Sequence, residues 1–439
     1  MSLLRGSEPS AGDILETQMR TYYSLLIYLA TPFVLLYLAF RGLRDRNYLK
    51  RWPERFAFFD APAAAGAITV HAASMGEVNA ASALVRELAA LFPATPLCLT
   101  TITPTGSDRV RALFANKACH VYAPLDLPGA VRRFFDRVQP RLLIIMETEI
   151  WPNLYHEAYS RQIPIVIVNA RISEHSIGAY RRFKRLTADA LGKVSVIAAQ
   201  SEGDAARMIE IGAVRDRVTV TGNLKFDINL PPSLLELGDS LRLAWGTDRP
   251  ILTAGSTHEG DEGPLLEAFK GLLKTFPTAL LVLVPRHPER FVRAAQLARS
   301  AGLRVSMHSE NPGCSRDTQC FVIDSMGVLL HYYAACDVAF VGGSIAALGG
   351  QNVLEPAALC KPVVVGPHTF NFRDILKQLV EHGGALQIQD AQGLEDAVRR
   401  LFQDPELRDR MGHAGLNLVD SGRGALERTL TLIKNLGNF

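Results

Sequence analysis

Four groups of side chains in this 439-residue chain have the types and spacing that chemistry needs, and all follow apolar runs. In HAASMGEVNAA (residues 71–81), a strand gives way to small residues and Gly76, and a helix opens near Glu77. A carboxylate at such a loop can take the proton from an acceptor hydroxyl. The same residues also spell a capping box, with Ser74 as N-cap and Glu77 three residues on, and both readings stand. In METEIWPN (residues 146–153), Glu147 and Glu149 come directly after a buried strand. Alternation puts both on one side if the strand continues; pairing of Glu147 with a buried arginine such as Arg171 is the structural alternative. In TGNLKFD (residues 221–227), Lys225 lies just past a strand at a domain junction. There it is either solvated or placed to meet a phosphate or a developing negative charge.

The fourth group occupies the second half. AGSTHEGDE (residues 254–262) and VPRHPER (residues 284–290) each follow a strand, and Arg286 and His287 sit where a nucleotide-binding sheet holds phosphate. DSMGVL (residues 324–329) offers backbone groups around Gly327. In FVGGSIAALGGQNVLEPAA (residues 340–358), a strand and a run of glycines precede a helix opening at Asn352. That is the pattern of an anion site. Asn352 and Glu355 also fit N-cap and N3 positions, although the glycine density exceeds what a cap needs. G-x-G-x-x-G, G-K-[ST], H-E-x-x-H and D-x-D are all absent, which disfavours a plain dinucleotide fold, a kinase, a metalloprotease and D-x-D metal-dependent glycosyl transfer.

These loops need a scaffold, and the apolar pattern supplies one. AITVHA, LCLTT, LLIIM, IVIVN, SVIAAQ and VTVTGN read as strands between residues 67 and 223, separated by segments with helical periodicity. Continuous apolar strands alternating with helices predict a parallel sheet covered on both faces. Residues 230–250 lack strands and carry Pro231, Pro232 and Gly246, the mark of a linker with a short helix inside. ILTAGS, ALLVLVP, LRVSM, FVID, DVAFVGG and PVVVG then restart the alternation. The expected architecture is α/β: two Rossmann-like domains facing a central cleft, with ligands at the carboxyl ends of the strands. Boundaries are expected at 42–228 and 250–439, with a linker at 229–249.

Composition agrees with a globular body: 48% hydrophobic and 21% charged residues. Lys+Arg 47 against Asp+Glu 44 gives a net charge of +3, too balanced for a dedicated nucleic-acid binder. Six cysteines form no C-x-x-C pair, so a disulfide scaffold or structural zinc is not expected. The N-terminus departs from this average. Behind a tail at 1–20, residues 21–40 (TYYSLLIYLATPFVLLYLAF) carry no charge and are long enough to cross hydrocarbon. Arg41, Arg44, Arg46, Lys50, Arg51 and Arg55 follow. This predicts an anchor helix at 21–41, spanning or seated in the interface, with a cytoplasmic body and a basic flank suited to anionic lipid.

HAASMGE, METEIWPN, NARISEHS, TGNLKFD, AGSTHEG, VPRHPER and GGQNVLEPA appear in order between residues 71 and 372. In this series the chain resembles the 3-deoxy-D-manno-octulosonic acid (Kdo) transferases of lipopolysaccharide synthesis. The resemblance implies a GT-B glycosyltransferase of the inner membrane. It would move Kdo from CMP-Kdo to the glucosamine disaccharide of a lipid A precursor (lipid IVA), inverting the anomeric centre without a metal or cofactor. By motif position, Glu77 is implied as the base, with Glu147 and Lys225 assisting. Pro285, Arg286, Met326, Gly327, Val328, Asn352, Val353, Leu354 and Glu355 are implied to hold CMP. The family usually has an acidic residue where Val328 stands, and the first 17 or so residues are extra relative to its usual start. The run YRRFKRL (residues 180–186) offers cations for acceptor phosphates, or is a solvated helix face. Rival functions on the same fold are a membrane-tethered nucleotide-sugar binder without turnover and a nucleotide-sugar epimerase.

Overall fold

A computed structural model describes residues 11–60, 65–115 and 117–437. The chain divides into two compact units, one running to Asp227 and including Gly424–Phe439, the other Ile228–Arg423.

The first unit holds a seven-stranded parallel sheet built from β1 (Ile68–His71), β2 (Leu97–Thr101), β3 (Cys119–Tyr122), β4 (Leu142–Met146), β5 (Ile165–Ala170), β6 (Val196–Ala199) and β7 (Val218–Val220). Their spatial order is β3-β2-β1-β4-β5-β6-β7. The uninterrupted apolar run of β4 has a direct cause. Leu142, Ile144 and Met146 feed the core on one face, while Leu143 and Ile145 feed the core on the other. Both faces are therefore dry, as a helix-covered parallel sheet requires.

The second unit repeats the plan with β8 (Ile251–Thr257), β9 (Leu280–Pro285), β10 (Val305–Met307), β11 (Cys320–Val322), β12 (Val338–Val341), β13 (Val363–Val365) and β14 (Ala385–Gln387), in the order β10-β11-β9-β8-β12-β13-β14. Each strand anticipated from the sequence is present. Two more, β3 and β14, had no such signal: CHVY and ALQ are short and each is interrupted by a polar residue, and their parallel neighbours make them strands.

Three boundaries differ from expectation. Residues 229–249 are not a free linker. Their helix Ser233–Trp245 belongs to the second unit, where buried Trp245 stacks on Tyr332 with centroids 6.1 Å apart. Gly238 lets this helix approach Ala334 so closely that a Cβ would fall 2.6 Å from the Ala334 methyl. The second domain does not run to residue 439 either. The closing helix Ala425–Lys434 returns to the first unit, where the Asp227 carboxylate accepts from the backbone N–H groups of Gly424 and Leu426, each at 2.7 Å.

The N-terminal helix is longer than 21–41 and runs over Ala11–Arg44, continuous through Pro32. Half of the expected tail is thus helical, and residues 1–10 lie outside the described residues. The helix packs against the helices Pro152–Ser160 and Lys184–Gly192 of the first unit.

Candidate active site

In a doubly wound sheet, the strand order reverses at a switch point, and the loops there part to leave a crevice outside the carboxyl ends of the strands. In the first sheet that point lies between β1 and β4, and in the second between β8 and β12. The predicted site residues that follow these strands gather there.

In the first unit, Ser74 caps the helix Met75–Leu91, and Glu77 is its third residue. The cap is real, and the return bond is shifted by one residue: the Ser74 hydroxyl accepts the Glu77 N–H at 3.4 Å and donates to Glu77 Oε1 at 3.1 Å, while the N–H that reaches Oε2, at 2.8 Å, is that of Ala73. The same geometry leaves Glu77 in an unusual electrostatic position. Burial first, and then the negative charges of Glu147 and Glu149, push its carboxyl up to about 7, against the pull of the Ala73 and Ser74 donors. Capping and proton transfer are compatible here, because the cap orients the carboxylate while burial makes it basic enough to act near neutrality.

The expectation that Glu147 and Glu149 continue a strand fails. β4 ends at Met146, and Glu147 turns into the left-handed region at φ 55°. The neighbouring β5 does the same one strand over, with Asn169 at φ 57°. Two non-glycine residues in this conformation on adjacent strand ends store strain that the packing around them must hold. The turn separates the roles of the two carboxylates. Glu147 lies 3.8 Å from Arg171, the partner anticipated for it. Glu149 accepts from the Trp151 indole N–H at 2.7 Å, and burial raises its carboxyl. Trp151 in turn meets the buried His71 ring edge-on at 5.4 Å, and burial holds His71 neutral, down to about 4.

Lys225 lies on the short 3-10 turn Leu224–Phe226, where the Asn223 side chain accepts its backbone N–H at 3.0 Å. Asn169 Oδ1 accepts the Leu224 N–H at 3.0 Å, so one buried amide ties the Lys225 turn to the end of β5. Asn169 carried no assigned role in the sequence, although a polar residue ending the run IVIVN was its signal. Of the YRRFKRL run, Arg181 pairs with Glu210 at 2.6 Å, and Arg182, Lys184 and Arg185 face solvent.

In the second unit, Pro285 is the last residue of β9, and the Arg286 N–H bonds to the Thr257 carbonyl at 2.9 Å. Gly342 follows β12 beside β8, where a Cβ would come within 2.5 Å of the Ser256 carbonyl oxygen. The glycine loop is clasped at its base, with Gly350 N–H to Gly343 O at 2.8 Å and Gln351 N–H to Gly342 O at 3.1 Å. Its shape is fixed by a residue the sequence did not single out. Fully buried Asp261 accepts from the backbone N–H groups of His258, Gly343, Ile345 and Ala346 at 2.7–3.0 Å. Those donors are consumed internally. His258 stands over the loop, its Nε2 3.2 Å from Gln351 Nε2 and its ring 5.2 Å from that of His287.

Asn352 does not open a long helix. The helix is Leu354–Ala358, five residues, with Val353 at its N-cap position. So short a helix sums few peptide dipoles, and the cation acting on it is the Arg286 guanidinium, near Glu355. Asn352 Oδ1 accepts the Leu354 N–H and its Nδ2 donates to Glu355 Oε1, each at 3.1 Å. Burial pushes the Glu355 carboxyl up, while Asn352 and the nearby Arg286 cation pull it down. Gly327 takes φ +83° and Met326 is exposed. Val328 packs against the apolar cluster around Trp245 and Ile323 and occupies the N-cap of the helix Leu329–Ala335. Its side chain thus serves the core.

Three buried polar atoms at these strand ends, His71 Nε2, Asn169 Nδ2 and Thr257 Oγ1, have no hydrogen-bond partner among the described residues. An unmet buried group costs about 1–3 kcal/mol.

Residues 50–228 match the family model of 3-deoxy-D-manno-octulosonic-acid transferases (kdotransferase), and residues 264–417 match that of glycosyl transferases group 1. The 3-deoxy-D-manno-octulosonic acid transferase of Haemophilus influenzae is 42% identical over 94% of this chain and 98% of its own length. The chain belongs to the Kdo transferase family. The Bordetella pertussis enzyme is 38% identical over 91% of this chain and 98% of its own. Among solved structures, the UDP-GlcNAc 2-epimerase of Neisseria meningitidis superposes with a TM-score of 0.54 at 15% identity, covering 84% of this chain and 99% of that one. That likeness shows the fold alone. The chain is thus a glycosyltransferase of the GT-B type, and of its family motifs HAASMGE and METEIWPN flank the first switch point while AGSTHEG and GGQNVLEPA flank the second.

Proposed function

We propose that this Kdo transferase moves Kdo from CMP-Kdo to a sugar hydroxyl of the glucosamine disaccharide of a lipid A precursor (lipid IVA), with inversion and without a metal. The observation that carries the reading is the Glu77 carboxyl, held near neutrality by burial and two neighbouring carboxylates. Glu77 takes the proton of the acceptor hydroxyl while its oxygen attacks the anomeric carbon of Kdo. The bond from that carbon to the CMP phosphate breaks, and its electron pair leaves with CMP. Attack from the face opposite the leaving phosphate inverts the centre. Glu147 keeps Glu77 basic and orients Arg171, and Lys225 offsets negative charge as the bond breaks.

CMP carries one phosphate, and the Arg286 cation can balance it. Pro285, Met326, Gly327, Val328, Asn352, Val353, Leu354 and Glu355 complete the nucleotide site, the loop 326–328 through its backbone. The acceptor is an amphiphile, so an apolar N-terminal helix places the enzyme at the cytoplasmic face of the inner membrane, beside anionic lipid. An epimerase on this fold would need no anchor, and a binding protein without turnover would need no base.

Mass spectrometry of products from purified enzyme, CMP-Kdo and tetra-acylated precursor, with and without EDTA, tests the reading. The expected result is precursor heavier by whole Kdo residues and CMP in equal amount, unaffected by EDTA. Free Kdo without acceptor modification, or loss of product with EDTA restored by a divalent ion, would overturn the acceptor or the metal-free mechanism respectively.

A further inference from the structure

The apolar N-terminal helix poses a topological question that its contacts answer. A single span puts the two ends of residues 21–40 on opposite sides of a bilayer. Here both ends are tied to one body. At the start, the Tyr23 hydroxyl donates to Asp126 Oδ2 at 2.9 Å and the Ser24 hydroxyl to Asn153 Oδ1 at 3.1 Å. Asp126 is itself buried, where it accepts from the backbone N–H groups of Asn153 and Leu154 at 3.0 and 2.8 Å. Beyond the far end, Arg51 donates to the Ser107 hydroxyl at 2.9 Å and Arg55 to the Ile102 carbonyl at 2.8 Å. All of these partners belong to the first unit.

The helices beneath this segment carry acidic groups with their own partners, Glu157 bonded to Arg161 and Asp189 to Lys193. Standing the docked helix upright in a bilayer would carry those charges into hydrocarbon. Its outer face is suited to a different surface. Leu25, Leu29, Phe33, Leu36, Phe40 and Leu43 recur at about the 3.6-residue helical period, and each is more than half exposed. Exposed Arg41, Arg44, Arg46 and Lys50 follow at one end. The docked helix Lys184–Gly192 adds a second apolar point, Phe183, exposed at its N-cap between Arg182 and Lys184. Apolar side chains bordered by exposed cations match a leaflet of anionic lipid, with acyl chains below the helix and phosphates beside it.

The geometry points to a monotopic enzyme: the N-terminal helix lies in the membrane plane as a layer of the first unit, its outer stripe and Phe183 seated in the interface of an anionic leaflet. This arrangement does not depend on which sugar is transferred, so its test can fail while the proposed reaction stands.

Full-length protein carrying an N-terminal epitope is bound to sealed vesicles of phosphatidylethanolamine and phosphatidylglycerol, and protease is added outside. In the in-plane arrangement the epitope and the catalytic body are exposed on the same side, and both are digested in every molecule. Protection of either one while the other is cut shows a span and overturns the inference. Phe33→Trp with brominated lipids reads depth: quenching is strongest for bromines near the headgroup end of the acyl chain, and a maximum at the bilayer centre overturns it. Leu29→Glu/Leu36→Glu should lower vesicle binding at least tenfold with CMP binding unchanged, and Phe183→Ala several-fold. If the outer face instead pairs two copies, sedimentation shows a lipid-free dimer that the double variant dissociates, and vesicle binding does not change; that result also overturns the inference.

Discussion

At the scale of single residues, the proposed chemistry depends on a carboxylate made more basic by its surroundings. Glu77→Gln keeps the shape and the hydrogen bond from Ala73 but cannot accept a proton, so turnover should fall by ~10²–10⁴-fold with the fold intact. The same substitution should stabilise the protein above neutrality. The Glu77 carboxyl sits at about 7 rather than its ordinary 4.5, so the folded state holds a proton that the unfolded chain releases between those values. Its contribution is fully present below about 4.5 and lost as pH rises through about 7, a swing on the order of 1–3 kcal/mol. Melting curves at pH 5 and pH 8 should show the Gln variant gaining on the native enzyme only at the higher pH; equal shifts at both would mean that Glu77 titrates normally. Asp261 supplies the second residue-scale prediction. Asp261→Asn replaces an acceptor of four backbone N–H groups with a side chain that presents one acceptor oxygen. CMP affinity, read by calorimetry, should drop at least tenfold, and an unaffected affinity would mean that the glycine loop keeps its shape without this carboxylate.

Among the elements, the strands and the helix-opening loops were legible because burial on both faces leaves an apolar run that no other element imitates at that length. What was not legible arises from contacts distant in sequence. Asp261 reads as one more polar residue in THEGDE, and its role appears only when β12 brings Gly343 beside it, 82 positions away. Glu147 and Glu149 read as one environment because alternation assumes a strand that in fact stops at Met146. The helix Ser233–Trp245 read as linker because its apolar face is matched by an element a hundred residues on. The N-terminal helix shows the same limit: its composition announces lipid, but Tyr23 and Ser24 give no hint of Asp126 and Asn153. Tyr23→Phe removes a hydrogen bond to a buried carboxyl that burial already pushes up to about 6, and should cost roughly 1–3 kcal/mol in thermal or urea unfolding. No change in stability would mean that the helix is not docked on the first unit in solution.

For the molecule as a whole, the proposed reaction is divided between the two sheets, with base catalysis at the first switch point and nucleotide binding at the second. In the proposed reaction, the ionisation of Glu77, tuned by Glu147, limits the rate of sugar transfer. The pH dependence of kcat/KM for CMP-Kdo at saturating acceptor, in the native enzyme and in Glu147→Gln, measures this most directly. An acid limb near pH 7 is expected in the native enzyme, since the base must be ionised, and a limb at lower pH in the variant, where one of the charges that raise Glu77 is gone. A native limb near pH 4.5, or a limb that stays in place when Glu147 loses its charge, would contradict it.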